Sequence, residues 1–146
     1  MKMRTALLLV ALSGMSAGCA GTGGEREVLT IRLQGGEQNE GAIAQATLVG
    51  RGDLTDITYL IGAVPGGVSR PLQLYTFIYP GSCAALSPEP AYSLNNTTHT
   101  TPTETGWTLS REAPVTLDAL RSAPHALVVR TSPADNNLNI FCGDIR

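Results

Sequence analysis

Two cysteines in the second half of the chain, Cys83 and Cys142, constrain what this sequence can fold into more than any other feature. Cys83 follows a strong strand pattern, Arg70-Pro71-Leu72-Gln73-Leu74-Tyr75-Thr76-Phe77-Ile78-Tyr79, closed by Pro80-Gly81-Ser82. Cys142 lies near the C-terminus in Phe141-Cys142-Gly143-Asp144-Ile145. The only other cysteine, Cys19, lies three small residues beyond an apolar run close to the N-terminus. If Cys19 is committed elsewhere, the remaining two form an even pair, and an even pair in an oxidising compartment reads as a disulfide. Such a bridge closes a loop of about 60 residues and contributes roughly 4 kcal/mol through the lost entropy of the unfolded chain. The alternative is a pair of buried free thiols.

The N-terminus supplies the compartment. Met1-Lys2-Met3-Arg4 is a basic head, Thr5 to Met15 is mostly apolar, and small residues follow. That order is the pattern of a secretory signal, and the run is too short to cross a bilayer as a helix of about 20 residues. Ala17-Gly18-Cys19 resembles a bacterial lipobox, with Ser16 where that pattern prefers Leu or Val. The expected organisation is a signal segment over residues 1–18, lipid attachment at Cys19, a Gly-rich tether over 19–26, and one folded domain over 27–146. Cleavage after Ala20, leaving a soluble secreted protein, is the alternative. Because Ala20 is not the Asp that often retains lipoproteins in an inner membrane, the resemblance favours the periplasmic face of an outer membrane, with the lipid as the link to it.

Beyond the signal segment the chain carries eight arginines, no lysine and twelve Asp or Glu, a net charge of −4. The charges are scattered, which speaks against a nucleic-acid partner, because phosphate binding needs clustered cations. Gly and Pro punctuate short runs of alternating apolar residues, and no long helical period occurs. Strands are expected over Glu27–Leu33, Gly41–Val49, Leu54–Ile61, Leu72–Tyr79, Ala91–Leu94, Gly106–Ser110, His125–Thr131 and Leu138–Cys142, with one helical turn near Thr116–Leu120. In the fourth strand, period 2 places Leu72, Leu74, Thr76 and Ile78 on the core face and Gln73, Tyr75, Phe77 and Tyr79 on the other. Asn95 to Thr105, polar and Thr-rich, reads as a long exposed loop. About eight short strands with near-regular turn signals predict an all-β Greek-key antiparallel β-sandwich or flattened barrel.

From about Val28 to Ile145 the chain resembles the copper/zinc superoxide dismutase fold, and more closely the bacterial secreted domains related to it, including the chordin-type repeat. Gly81-Ser82-Cys83 resembles the loop glycine and cysteine of that family, and Phe141-Cys142-Gly143-Asp144-Ile145 its C-terminal Cys-Gly-x-Ile strand. Arg70-Pro71 and Val128-Val129-Arg130-Thr131-Ser132 fit in order. The resemblance implies a Cys83–Cys142 bridge, in agreement with the cysteine count. It does not extend to the metal ligands. The His-x-His pair expected before the first cysteine is Gln73-Leu74-Tyr75, and the histidine expected on the penultimate strand is Arg130. Copper wants several imidazoles and zinc a tetrahedral set of His and carboxylates, and a cation at Arg130 would repel a metal beside it. Gln73, Tyr75 and Arg130 therefore mark positions from which metal ligands are missing, and no cofactor or catalytic residue is assigned.

Other motifs carry less. Only His99 and His125 are present, and both read as solvated side chains rather than ligands. Arg51-Gly52-Asp53 matches an integrin-type tripeptide but sits where a turn between strands needs Gly and Asp. Asn95-Asn96-Thr97 and Asn96-Thr97-Thr98 match glycosylation acceptors, which carry little meaning if the source is bacterial. No Gly-x-Ser-x-Gly elbow places a nucleophile beside a base, and Trp107 reads as core. The expected function is a non-enzymatic, lipid-anchored cell-envelope domain, binding an envelope protein or small molecule through Asn95–Thr105 or the Tyr75/Phe77/Tyr79 face, or acting structurally. The alternatives are a divergent metal protein or enzyme using His99, His125, Asp144 or the tyrosines, and a small-molecule binder with a pocket between sheet and loop.

Overall fold

The computed structural model describes residues 26–146. The signal segment, Cys19 and nearly all of the expected tether lie outside the described residues. Ten antiparallel strands carry the fold: β1 (Val28–Gly35), β2 (Ile43–Arg51), β3 (Leu54–Ile61), β4 (Leu74–Ser82), β5 (Ala85–Leu86), β6 (Tyr92–Ser93), β7 (Thr101–Thr103), β8 (Gly106–Ala113), β9 (His125–Thr131) and β10 (Asn139–Ile145). Two of these, β5 and β7, span only two and three residues and are not among the expected strands, which is why the turn signals suggest about eight. One short helix, α1 (Leu117–Arg121), begins where Thr116 Oγ1 accepts the Ala119 N–H. No described helix is long and apolar enough to cross a membrane.

Hydrogen bonding links the strands in the order β5-β4-β9-β10-β1-β2-β3-β8-β7, with β6 also paired to β4. β1 and β10 meet over two residue pairs, Gln34 with Cys142 and Gly35 with Phe141. The ladder folds over at that corner into two layers whose inner faces share one core. It is not closed into a barrel, because no ladder joins β4 or β6 to β8. β8 returns over a long connection to lie beside β3, and β9 does the same beside β4. These are Greek-key crossings.

The core follows period 2 closely. Ile31 and Leu33 of β1, Ala44, Ala46 and Leu48 of β2, and Ile57, Tyr59 and Ile61 of β3 are buried, as are Leu72, Leu74, Thr76 and Ile78 around β4. β10 departs from strict alternation. Its register with β9 shifts between Asn139 and Phe141. This bulge places Ile140 and Phe141, consecutive in sequence, both in the core.

Two expectations need correction. β4 does not stop at Tyr79 but runs on through Pro80-Gly81-Ser82, with Gly81 at φ +99°. Asn95 to Thr105 is not a structureless loop. Leu94 is buried, Asn95 Oδ1 accepts the Thr76 N–H at 2.8 Å, His99 bridges to Gln73, and Thr101–Thr103 pairs with β8. A polar, Thr-rich run lacks the apolar period that marks a strand, yet hydroxyls and amides that bond to backbone can hold it against a sheet. Thr100 Oγ1 donates to the Leu72 carbonyl at 2.8 Å in this way.

Gly143, next to Cys142, is required by packing. A Cβ there would stand 2.5 Å from Leu33 Cδ2, 2.9 Å from Ile31 Cγ2 and 3.0 Å from the Arg32 carbonyl oxygen. Gly143→Ala is expected to cost about 1–3 kcal/mol through overpacking, measured as a lower urea midpoint. An unchanged midpoint would mean that β1 can move away from β10 freely.

Candidate functional site

Three places combine the residues singled out by sequence with chemistry that the fold creates.

The first is the bridge. Cys83, exposed just after β4, and Cys142, in β10, form a disulfide with a Cα–Cα distance of 5.9 Å across 59 residues of sequence. Beside it, the Cys83 N–H donates to Asp144 Oδ1 at 2.7 Å. That bond, helped by Arg146, holds the Asp144 carboxyl below its ordinary value of 3.8. A carboxyl depressed in the folded state stabilises it above the unfolded value, and this contribution is lost as pH falls through the folded value. Unfolding free energy should therefore decline below about pH 4. Asp144→Asn should flatten part of that decline when urea unfolding is followed against pH; equal slopes would contradict the assignment.

The second is the outer face of β4 and β9, where the resembled enzymes would carry metal ligands. Tyr75 and Arg130 are direct cross-strand partners. The Arg130 guanidinium lies 4.8 Å from the Phe77 ring centroid and 5.3 Å from that of Tyr79. It donates to the Tyr79 hydroxyl at 2.7 Å and to Asn139 Oδ1. Gln73 does not join them: its Oε1 accepts the Thr98 hydroxyl at 3.1 Å, and its strand neighbour is His99. The face is thus a cation held over aromatic rings. These residues do not fit copper or zinc, because a guanidinium offers only donors and keeps its charge. Among the described residues no group of three or more His, Cys, Asp or Glu is gathered to hold a metal. His99 is exposed, whereas His125 is half-buried. The His125 Nδ1–H donates to the Leu120 and Ala123 carbonyls at 2.9 and 3.0 Å, joining the end of α1 to the start of β9.

The Arg51-Gly52-Asp53 stretch is the hairpin between β2 and β3. Gly52 has φ +60°, as the first central residue of such a turn requires. Arg51 is bound by Asp56 at 2.7 Å and also by Glu112. Trp107 is partly buried against the core, with the Arg70 guanidinium 5.0 Å from its ring.

The third place is the open seam between the layers, where a cleft of about 470 Å³ is lined by Ile57, Leu94, Asn96, Thr97 and Arg111, with Asp56 and Glu112 also contributing. Arg111, in β8, is only 7% exposed. Its Nη2 donates to the Leu74 carbonyl at 3.1 Å, tying β8 to β4 across the seam, and its Nη1 to the Ser110 carbonyl at 2.8 Å. Its Nε–H has no partner, and none of the salt bridges among the described residues involves it. The hydroxyl of Tyr59, its diagonal neighbour on β3, is also buried and unpaired, and burial pushes that phenol well above its ordinary pKa. Sequence reasoning missed both groups. The signal was present in the period-2 register Leu109, Arg111, Ala113, but it becomes visible only when the strand is carried past Ser110.

Comparison of the chain with protein-family models, with curated proteins and with solved structures finds no match.

Proposed function

We propose that this chain is a non-enzymatic, lipid-anchored domain of the cell envelope, built on a superoxide dismutase-like sandwich without the metal centre and serving to bind a partner or ligand. The observation that carries the reading is the Arg130 side chain. It stands opposite Tyr75 and over Phe77 and the buried Tyr79, whose hydroxyl it binds, so the face where the resembled enzymes gather imidazoles holds a fixed positive charge against aromatic rings. The all-β Greek-key sandwich and the Cys83–Cys142 bridge agree with the resemblance. A sandwich alone fixes no function, since many unrelated surface domains share it.

The enzymatic half of the reading is tested by a dismutase assay on protein incubated with copper. No activity above free copper is expected, and turnover dependent on the folded protein would overturn it. The anchoring half is tested by Cys19→Ala. The variant should move from the membrane to the soluble fraction of the envelope, and an unchanged distribution would remove lipid attachment at that residue.

A further inference from the structure

We propose that the seam cleft is a binding site for a small monocarboxylate, or for the terminal carboxylate of a short peptide, received by the unpaired face of Arg111. The inference rests on the binding role proposed above and names the chemical class of its ligand.

An arginine placed in a domain interior normally meets a carboxylate, because a buried charge left without one is costly. Arg111 has two backbone carbonyls and no anion among the described residues, so its charge is solvated by dipoles and remains uncompensated. A guanidinium carries five N–H donors in a rigid fork that matches the two oxygens of a carboxylate. The Nε–H of that fork is buried without a partner, and Nη1 and Nη2 each keep one N–H beyond those given to the two carbonyls.

The surroundings select the ligand. Asp56 and Glu112 border the same cleft, and both are bound by Arg51. Arg111 is thus the one charged side chain in the lining without a salt-bridge partner, and the two acidic side chains, which share a single arginine, disfavour a ligand with more than one negative charge. Ile57 and Leu94 offer apolar contact, while Asn96 and Thr97 offer polar contact at the mouth. The cleft is within the size range of small-molecule sites, roughly 300–1,000 Å³. The Thr76 carbonyl accepts the Leu94 N–H at 3.0 Å and the Thr76 N–H donates to Asn95 Oδ1 at 2.8 Å, which ties the wall that begins at Leu94 to β4.

The test is a titration followed by NMR at the Arg111 Nε–H, using benzoate as the free carboxylate, benzamide as its neutral counterpart, and N-acetyl-dialanine with a free or an amidated C-terminus as the peptide form. A saturable shift with benzoate, absent with benzamide and with sodium chloride at the same ionic strength, is the expected result. A shift with the free but not the amidated peptide assigns the peptide source; a response to benzoate alone assigns a free small carboxylate. Arg111→Met should weaken binding by about tenfold or more. An Arg111 resonance unmoved by all carboxylates overturns the proposal, as does equal affinity in a folded Arg111→Met variant. Should that variant not fold, the wild-type titration decides alone. A flat titration in metal-free protein removes this ligand class and leaves the metal-free scaffold standing, whereas a bound metal would overturn the scaffold reading whatever the titration shows.

Discussion

Replacing both Cys83 and Cys142 with serine should lower the unfolding free energy by about 4 kcal/mol. The two residues are separated by 59 positions, and the bridge joins the end of β4 to the middle of β10. Without it, the unfolded chain regains the freedom of a long loop while the folded core is unchanged. For a domain of this size the melting temperature should fall on the order of 15 °C. Wild-type protein under reducing conditions should behave like the double variant, and a single variant should lose nearly as much as the double. Urea unfolding under oxidising and reducing conditions measures all three. A difference below about 1 kcal/mol would mean that the unfolded chain already holds the two ends together.

Phe141→Ala should cost about 3–5 kcal/mol. Phe141 is 1% exposed and shares the core with Ile140 because the β10 bulge turns both inward. Removing the ring at the corner where β10 leaves β1 deletes contacts from both layers, and the bulge fixes the backbone there, limiting collapse into the void. Phe141→Leu, closer in volume, should recover most of the loss. Equilibrium denaturation checks both variants; a cost near 1 kcal/mol for the alanine would show that the corner collapses onto the space.

Most of the fold was legible because most strands obey one rule. Leu54–Ile61 and His125–Thr131 could be placed residue for residue, since their apolar positions alternate or run unbroken between turn signals. The rule weakened where an edge strand is exposed on both faces and buries no apolar side chain, so Thr101–Thr103 was invisible as a strand. It also failed at the β10 bulge, because two consecutive inward residues mimic no period. The bridge was legible from the cysteine number and the compartment that the signal pattern leads one to expect. The outer face of β4 was legible in part. Period 2 put Tyr75, Phe77 and Tyr79 together, and the missing histidines pointed to Arg130. The stacking of Arg130 over Phe77 and Tyr79, rather than a meeting with Gln73, depends on how a long side chain leaves β9 and could be read only in three dimensions. Arg111 shows the opposite failure. It was not singled out, because arginines ordinarily lie at the surface, while its register makes it part of the seam.

The central proposal is that the β4–β9 face holds a cation on aromatic rings and no metal. The most direct measurement is the copper and zinc content, by elemental mass spectrometry, of the protein purified from the cell envelope without chelators. Trace, substoichiometric metal, unchanged when Arg130 is replaced by glutamine, is the predicted result. A full equivalent of copper or zinc per chain, retained through purification, would contradict the account.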